Sequence, residues 1–151
     1  MIQLVLNQTI MTKYAVIRIY DDGRRVEHEL HQSINSSPHH LALTEYVERL
    51  IKKGINNLNC DHIGVDFCNR KLDLKRGNRR LDLIYYNGNQ LVECELKTEH
   101  ETGLNRTYDQ LAHMSNFCTN LVFLVPRSKI EYCREMLKAR NINTVQLDTY
   151  E

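Results

Sequence analysis

Residues 79 to 97 read RRLDLIYYNGNQLVECELK, two period-2 runs joined by Asn87, Gly88 and Asn89, and this stretch decides the fold. A hairpin is the arrangement such a pattern supports best, because successive strand residues alternate faces and Asn/Gly pairs supply the backbone conformations of a tight turn. Asp82, Glu93, Glu95 and Lys97 then share one face. The other face carries Leu81, Leu83 and Tyr85 against Val92, Cys94 and Leu96, an apolar set suited to burial. Two registers are open. With Gly88-Asn89 as the turn, Asp82 lies opposite Glu95; with Asn87-Gly88, it opposes Glu93 and has Glu95 as its diagonal neighbour.

Carboxylates crowded on one face repel, and a sheet keeps them only where a cation or solvent neutralises them. Rigid oxygen ligands with room left for water and phosphate oxygens suit Mg²⁺ or Mn²⁺ in phosphoryl transfer. Lys97, two residues beyond Glu95, projects to the same side, where it would orient or deprotonate an attacking water or stabilise developing charge. Glu93 is an extra carboxylate, available for a second ion or for raising its neighbours' pKa.

Asp82, a gap of twelve residues, and then Glu95-Leu96-Lys97 resembles the signature of the PD-(D/E)xK nuclease superfamily, which includes restriction endonucleases, archaeal Holliday junction resolvases and RecB-like nucleases. The likeness covers roughly residues 40 to 126, with Arg80-Leu81 standing where a proline often precedes the aspartate. It implies a restriction endonuclease-like αβββαβ core with a mixed central sheet flanked by helices. It also implies Asp82 and Glu95 as metal ligands, the Leu96 carbonyl completing the shell, and Lys97 serving the water. A glutamate from the first helix, Glu45 in preference to Glu48, would join the metal. Gln110 would help hold the site or the DNA. The expected activity is that of a magnesium-dependent deoxyribonuclease, most simply an endonuclease. By analogy with junction resolvases it would act as a homodimer, with paired sites cutting symmetric strands. A catalytically silent DNA-binding module, or an interaction subunit of a larger nucleic-acid-processing assembly, is the alternative.

The rest of the chain fits an α/β domain. Residues 13 to 31 alternate around Asp22-Gly23 and predict an amino-terminal hairpin that extends the sheet or serves a partner. After the Ser/Asn/Pro-rich break at 33 to 38, Leu43, Tyr46, Val47, Leu50 and Ile51 repeat at helical spacing, with Gly54 as a stop. Residues 104 to 118 predict a second helix, with Tyr108 in the core and His113 towards solvent. NLVFLVP predicts a buried strand ended by Pro126, SKIEYCREMLKAR a helix capped by Ser128, and TVQLDTY a last strand. Residues 1 to 151 read as one domain, with 1 to 35 an extension and 40 to 151 the core, and a chain this long buries a real core.

Formal charge is +1, so the molecule as a whole is no general polyanion binder. Arg70, Lys71, Lys75, Arg76, Arg79 and Arg80 nevertheless crowd one stretch against a single Asp73, directly before the acidic hairpin, and predict phosphate contacts. His39, His40, His62 and His100 show no ligand spacing on a predicted element, whereas Glu99, His100 and Glu101 follow the motif strand closely enough to touch substrate. Cys94, Cys118 and Cys133 read as small hydrophobes; Cys60 and Cys68 fall in a polar loop, where only a hyperthermophilic host would make a pairing an option, and their redox state stays open. No apolar run reaches membrane-spanning length and the amino terminus lacks a signal-peptide layout, so an intracellular, cytoplasmic protein without a membrane partner is expected.

Overall fold

The computed structural model describes residues 5–11, 15–21, 25–30, 37–55, 57–62, 65–68 and 72–151. In chain order the elements are strands β1 (Leu6–Met11), β2 (Ala15–Tyr20) and β3 (Arg25–Leu30), helix α1 (Pro38–Lys52), and strands β4 (Leu58–His62), β5 (Val65–Cys68), β6 (Lys75–Arg76) and β7 (Arg79–Arg80). There follow β8 (Leu83–Asn87), β9 (Gln90–Leu96), helix α2 (Asn105–Ser115), β10 (Leu121–Val125), helix α3 (Ile130–Ala139) and β11 (Val145–Thr149).

The hairpin of 79 to 97 forms as β8 and β9, and Asn87 pairs with Gln90 while Leu83 pairs with Cys94. This register makes Gly88-Asn89 the turn. Gly88 takes φ of 63° whereas Asn89 stays out of the left-handed region, which is the II′ demand for glycine at the first central position. Asp82 therefore stands opposite Glu95, the first of the two registers.

Six strands form one sheet in the order β11-β10-β9-β8-β4-β5. β9, β10 and β11 run parallel, while β8, β4 and β5 each run antiparallel to the preceding neighbour. The class is α/β with a mixed sheet flanked by helices. α1 buries Leu43, Val47 and Leu50 on one face, against Leu58, Leu83, Cys94, Leu96 and Leu124. α2 and α3 cover the other, bringing Tyr108, Leu111, Met114, Cys133 and Leu137 onto Ile84, Phe123 and Val125. Each aliphatic side chain so buried favours folding by about 1.5–3 kcal/mol over its exposed state.

Several expectations change. The charged face of the hairpin is not an open surface, because α2 and α3 build a second core over it. Leu81, which precedes the regular strand, packs in that second core and not with Leu83. Cys60 is a buried thiol of β4, set opposite Phe67 in the β4–β5 register rather than opposite Cys68. The Cys68 side chain lies outside the described residues. α3 begins at Ile130 after a 3₁₀ turn, Arg127–Lys129, and receives no side-chain cap, so Ser128 does not have that role. The amino-terminal strands β1, β2 and β3 form their own antiparallel sheet instead of extending the large one. The Asp22-Gly23 turn lies outside the described residues.

α1 starts where its local chemistry dictates. Ser37 Oγ accepts the N–H of His40 at 3.3 Å and meets His40 Nδ1 at 2.6 Å, a reciprocal cap, and Pro38 fills the position where a missing N–H is harmless. This cap fixes the helix entry, and with it the place of His39 in the first turn.

Candidate active site

The start of β8 and the carboxyl end of β9 meet between the first turn of α1 and the middle of α2. In open α/β sheets, ligands sit outside the carboxyl ends of the parallel strands. Here Asp82 and Glu95 interlock. The Asp82 N–H donates to Glu95 Oε1 at 3.1 Å, and the Leu96 N–H donates to Asp82 Oδ2 at 2.8 Å. A strand residue points its N–H and C=O to the same edge, so the Leu96 carbonyl is directed to the Asp82 side. Burial first, and the Asp82 charge second, push Glu95 well above the usual carboxylate range.

Lys97 closes the group. Its Nζ donates to Gln110 Oε1 at 3.2 Å and stands 3.9 Å from both Glu95 Oε2 and Glu101 Oε2. Gln110 is on α2, so the helix that covers the second core also steadies the lysine. Glu101 is placed by a 3₁₀ turn, Glu101–Gly103, and its Oε1 accepts the Thr98 N–H at 3.1 Å and the Thr98 hydroxyl at 2.9 Å. The buried Tyr108 hydroxyl donates to Thr102 O at 2.7 Å and ties this turn to α2.

His39 is the member that sequence reasoning missed. Its Nε2 lies 3.2 Å from Asp82 Oδ1 and its Nδ1 is 3.5 Å from Glu101 Oε1, a long contact that leaves Nδ1 without a hydrogen bond. Burial pulls its pKa down, but the hydrogen bond to Asp82 and the proximity and charge of Glu101 outweigh burial and lift it to about 10. Glu101 responds in the opposite sense. Burial raises it, yet His39, the Thr98 donors and Lys97 bring it down to about 2. His39 is therefore an imidazolium between two carboxylates, while His40 is lowered, by burial first and by the His39 charge next. The overlooked signal was helical: His39 sits one turn before Leu43 on the stripe that continues through Val47.

Other expected residues go elsewhere. Glu45 is exposed on α1, six residues beyond His39 and about 9 Å further along the helix, and the Glu48 side chain lies outside the described residues. Glu93 is 1 % exposed and turned to structure, accepting Arg76 Nε at 2.7 Å and the N–H groups of Thr119 and Asn120 at 2.8 and 3.0 Å. Burial raises its pKa, but these donors prevail and hold it below the usual range. Arg76 donates further from Nη1 to the carbonyls of Asp73 and Lys75, both at 2.7 Å, so its guanidinium is committed inward. The basic stretch is a small hairpin, β6 and β7, turned by Gly77 and Asn78. On it Lys75 and Arg79 are exposed, whereas Arg80 pairs with Asp61 at 2.9 Å. Arg70 and Lys71 lie outside the described residues. His100 and Glu99 are exposed, and Glu101 alone of that trio turns inward.

Among the described residues, no group of three or more His, Cys, Asp and Glu side chains is arranged to enclose a metal ion. Magnesium asks for less, one or two carboxylates with the remaining positions kept for water and phosphate. Asp82, Glu95 and the Leu96 carbonyl meet that requirement with hard oxygen donors, and a dication there would offset both the burial and the Asp82 repulsion that raise Glu95. Compared with known proteins, the chain matches no family model, no curated protein and no solved structure. Among the described residues, no helix is long and apolar enough to cross a membrane.

Proposed function

We propose that this chain is a metal-dependent nuclease that hydrolyses DNA phosphodiester bonds, with a restriction endonuclease-like core. The observation that carries the reading is the interlock of Asp82 with Glu95 and Leu96, set beside Lys97 and Gln110. With β5, β6 and β7 set aside as an insertion between β4 and β8, the order α1, β4, β8, β9, α2, β10 supports it, since this is the αβββαβ sequence of elements the motif calls for. Asp82, Glu95 and the Leu96 carbonyl would hold Mg²⁺ or Mn²⁺, whose chemistry is Lewis-acid polarisation of a phosphoryl oxygen and acidification of bound water.

The residues of the chain do the rest. In hydrolysis the water oxygen forms a bond to phosphorus, the opposite P–O bond breaks, the water loses one proton and the leaving oxygen gains one. Lys97 lies where it can orient that water and offset charge on the transferring phosphoryl group, and Gln110 and Glu101 restrict its ammonium to one place. His39 holds Asp82 from the side opposite Leu96 and acts as a positioning residue.

The test is incubation with Mg²⁺ or Mn²⁺ and labelled single-strand, duplex, flap and four-way junction DNAs, beside Asp82→Ala, Glu95→Ala and Lys97→Ala. Metal-dependent cleavage that vanishes in the three variants is the expected result. Binding without cleavage would replace this reading with a silent DNA-binding module, and neither binding nor cleavage would favour an interaction subunit.

A further inference from the structure

A cavity of about 340 Å³ adjoins the candidate active site, walled by Asn78 and Arg79 on one side and by Arg106, Asp109, Gln110 and His113 on the other. The four α2 residues follow helical spacing, so they form one stripe that faces the β6–β7 turn. Gln110 belongs to both places, since its Oε1 accepts from Lys97 while its side chain lines the cavity. The groove therefore runs up to the catalytic lysine.

Its charge is positive. Asp109 is neutralised by Arg140 Nη1 at 2.9 Å, and neither Arg79 nor Arg106 has an ion-pair partner among the described residues. At the far end of the stripe is Phe117, 50 % exposed. Its ring is held in place: it lies against Gly77, where an added Cβ would come within 2.9 Å of the Phe117 ring, and its centroid is 5.2 Å from that of His113. An exposed aromatic fixed at one end of a stripe whose other end carries Arg106, about 16 Å away along the helix, with Arg79 on the facing wall, is the chemistry of a single-stranded nucleic-acid groove, in which cations follow the backbone and rings stack on bases. In a duplex the base faces are already stacked and offer nothing to such a ring.

We propose that this groove holds an unpaired DNA strand that leads into the catalytic centre, with Arg79 and Arg106 on its phosphates and a base stacked on Phe117. This rests on the nuclease reading and adds the strand state of the substrate. The test measures binding without turnover: fluorescence anisotropy of the whole chain with labelled oligo(dT), its ribose counterpart and a DNA duplex, in EDTA and across a salt series. Phe117→Ala should weaken oligo(dT) binding by about 5- to 150-fold and leave duplex binding unchanged. Arg79→Ala and Arg106→Ala should each reduce the slope of log affinity against log salt by about 0.7. Phe117→Trp, which keeps a stacking ring, should retain affinity and lose indole emission when oligo(dT) binds, a clean signal because the natural chain has no tryptophan.

Equal effects of Phe117→Ala on both DNA forms, or indole emission from the Phe117→Trp variant that does not respond to oligo(dT), would overturn the groove. Tighter binding of the ribose oligomer would overturn its assignment to DNA. The expected binding signatures in a protein that cleaves nothing would uphold strand binding and defeat the nuclease reading, whereas cleavage indifferent to Phe117 would do the reverse.

Discussion

Arg76→Ala separates a structural arginine from a DNA-binding one. Glu93 has side-chain exposure of only 2 %, and Arg76 Nε at 2.7 Å is its one charged partner among the described residues. Removing one member of a buried ion pair costs about 3–5 kcal/mol, because the other charge is left uncompensated. The amides of Thr119 and Asn120 still hold Glu93 Oε1, so the lower end applies, about 3 kcal/mol. For a chain of this size that lowers Tm by about 6–12 °C, and at a urea dependence of about 2 kcal/mol/M it moves the midpoint by about 1.5 M.

The sign with pH follows from the lowered pKa of Glu93. A depressed carboxylate stabilises the fold above its unfolded pKa, and that contribution disappears as pH falls through the folded value. Arg76→Ala removes the side-chain donor that does most to lower the folded pKa, which therefore rises. The deficit is therefore greatest at neutral pH and shrinks in acid as Glu93 protonates. Urea unfolding followed by far-UV circular dichroism at neutral and acid pH measures it, with the exposed Arg79→Ala as a control expected within about 0.5 kcal/mol of wild type. An Arg76→Ala protein as stable as wild type but tenfold weaker on DNA would refute the reasoning.

Three further outcomes follow. His39→Ala should weaken Mn²⁺ binding by about 10- to 100-fold, measured by calorimetry, as loss of a residue that orients a ligand does, while Glu45→Ala should leave it unchanged. Gly77→Ala should destabilise more than Gly88→Ala, in thermal melts: both glycines have positive φ, worth about 1–2 kcal/mol of strain, but only at position 77 does the added methyl meet a side chain. Tyr108→Phe should cost about 1 kcal/mol, through its hydroxyl's hydrogen bond to Thr102 O.

What was legible in the sequence was periodic. Period-2 alternation and Gly88 specified the hairpin and set Asp82 near Glu95, and the Leu43, Val47 and Leu50 stripe specified α1. The pattern missed what depends on tertiary contact. β4 and β5 escaped because LNCDH and VDFC alternate poorly: in β4, Leu58, Asn59 and Cys60 are all buried, with the Asn59 amide satisfied by Leu72 O at 2.8 Å. Glu93 was placed correctly by face but not by surroundings, since alternation says nothing of which loop caps a strand, and it lies two residues, about 6.7 Å, from Glu95. His39 reaches Asp82 across 43 residues of chain, a contact that no local window contains.

The central claim is that Asp82 and Glu95 form a metal-dependent phosphodiesterase centre, and single-turnover cleavage by Asp82→Asn at saturating protein tests it most directly. The variant keeps the shape of the side chain and removes the charge, so DNA affinity should persist while the rate falls by roughly 10²- to 10³-fold, the equivalent of several kcal/mol of lost charge stabilisation. A variant that cleaves at the wild-type rate in Mg²⁺ would contradict the account.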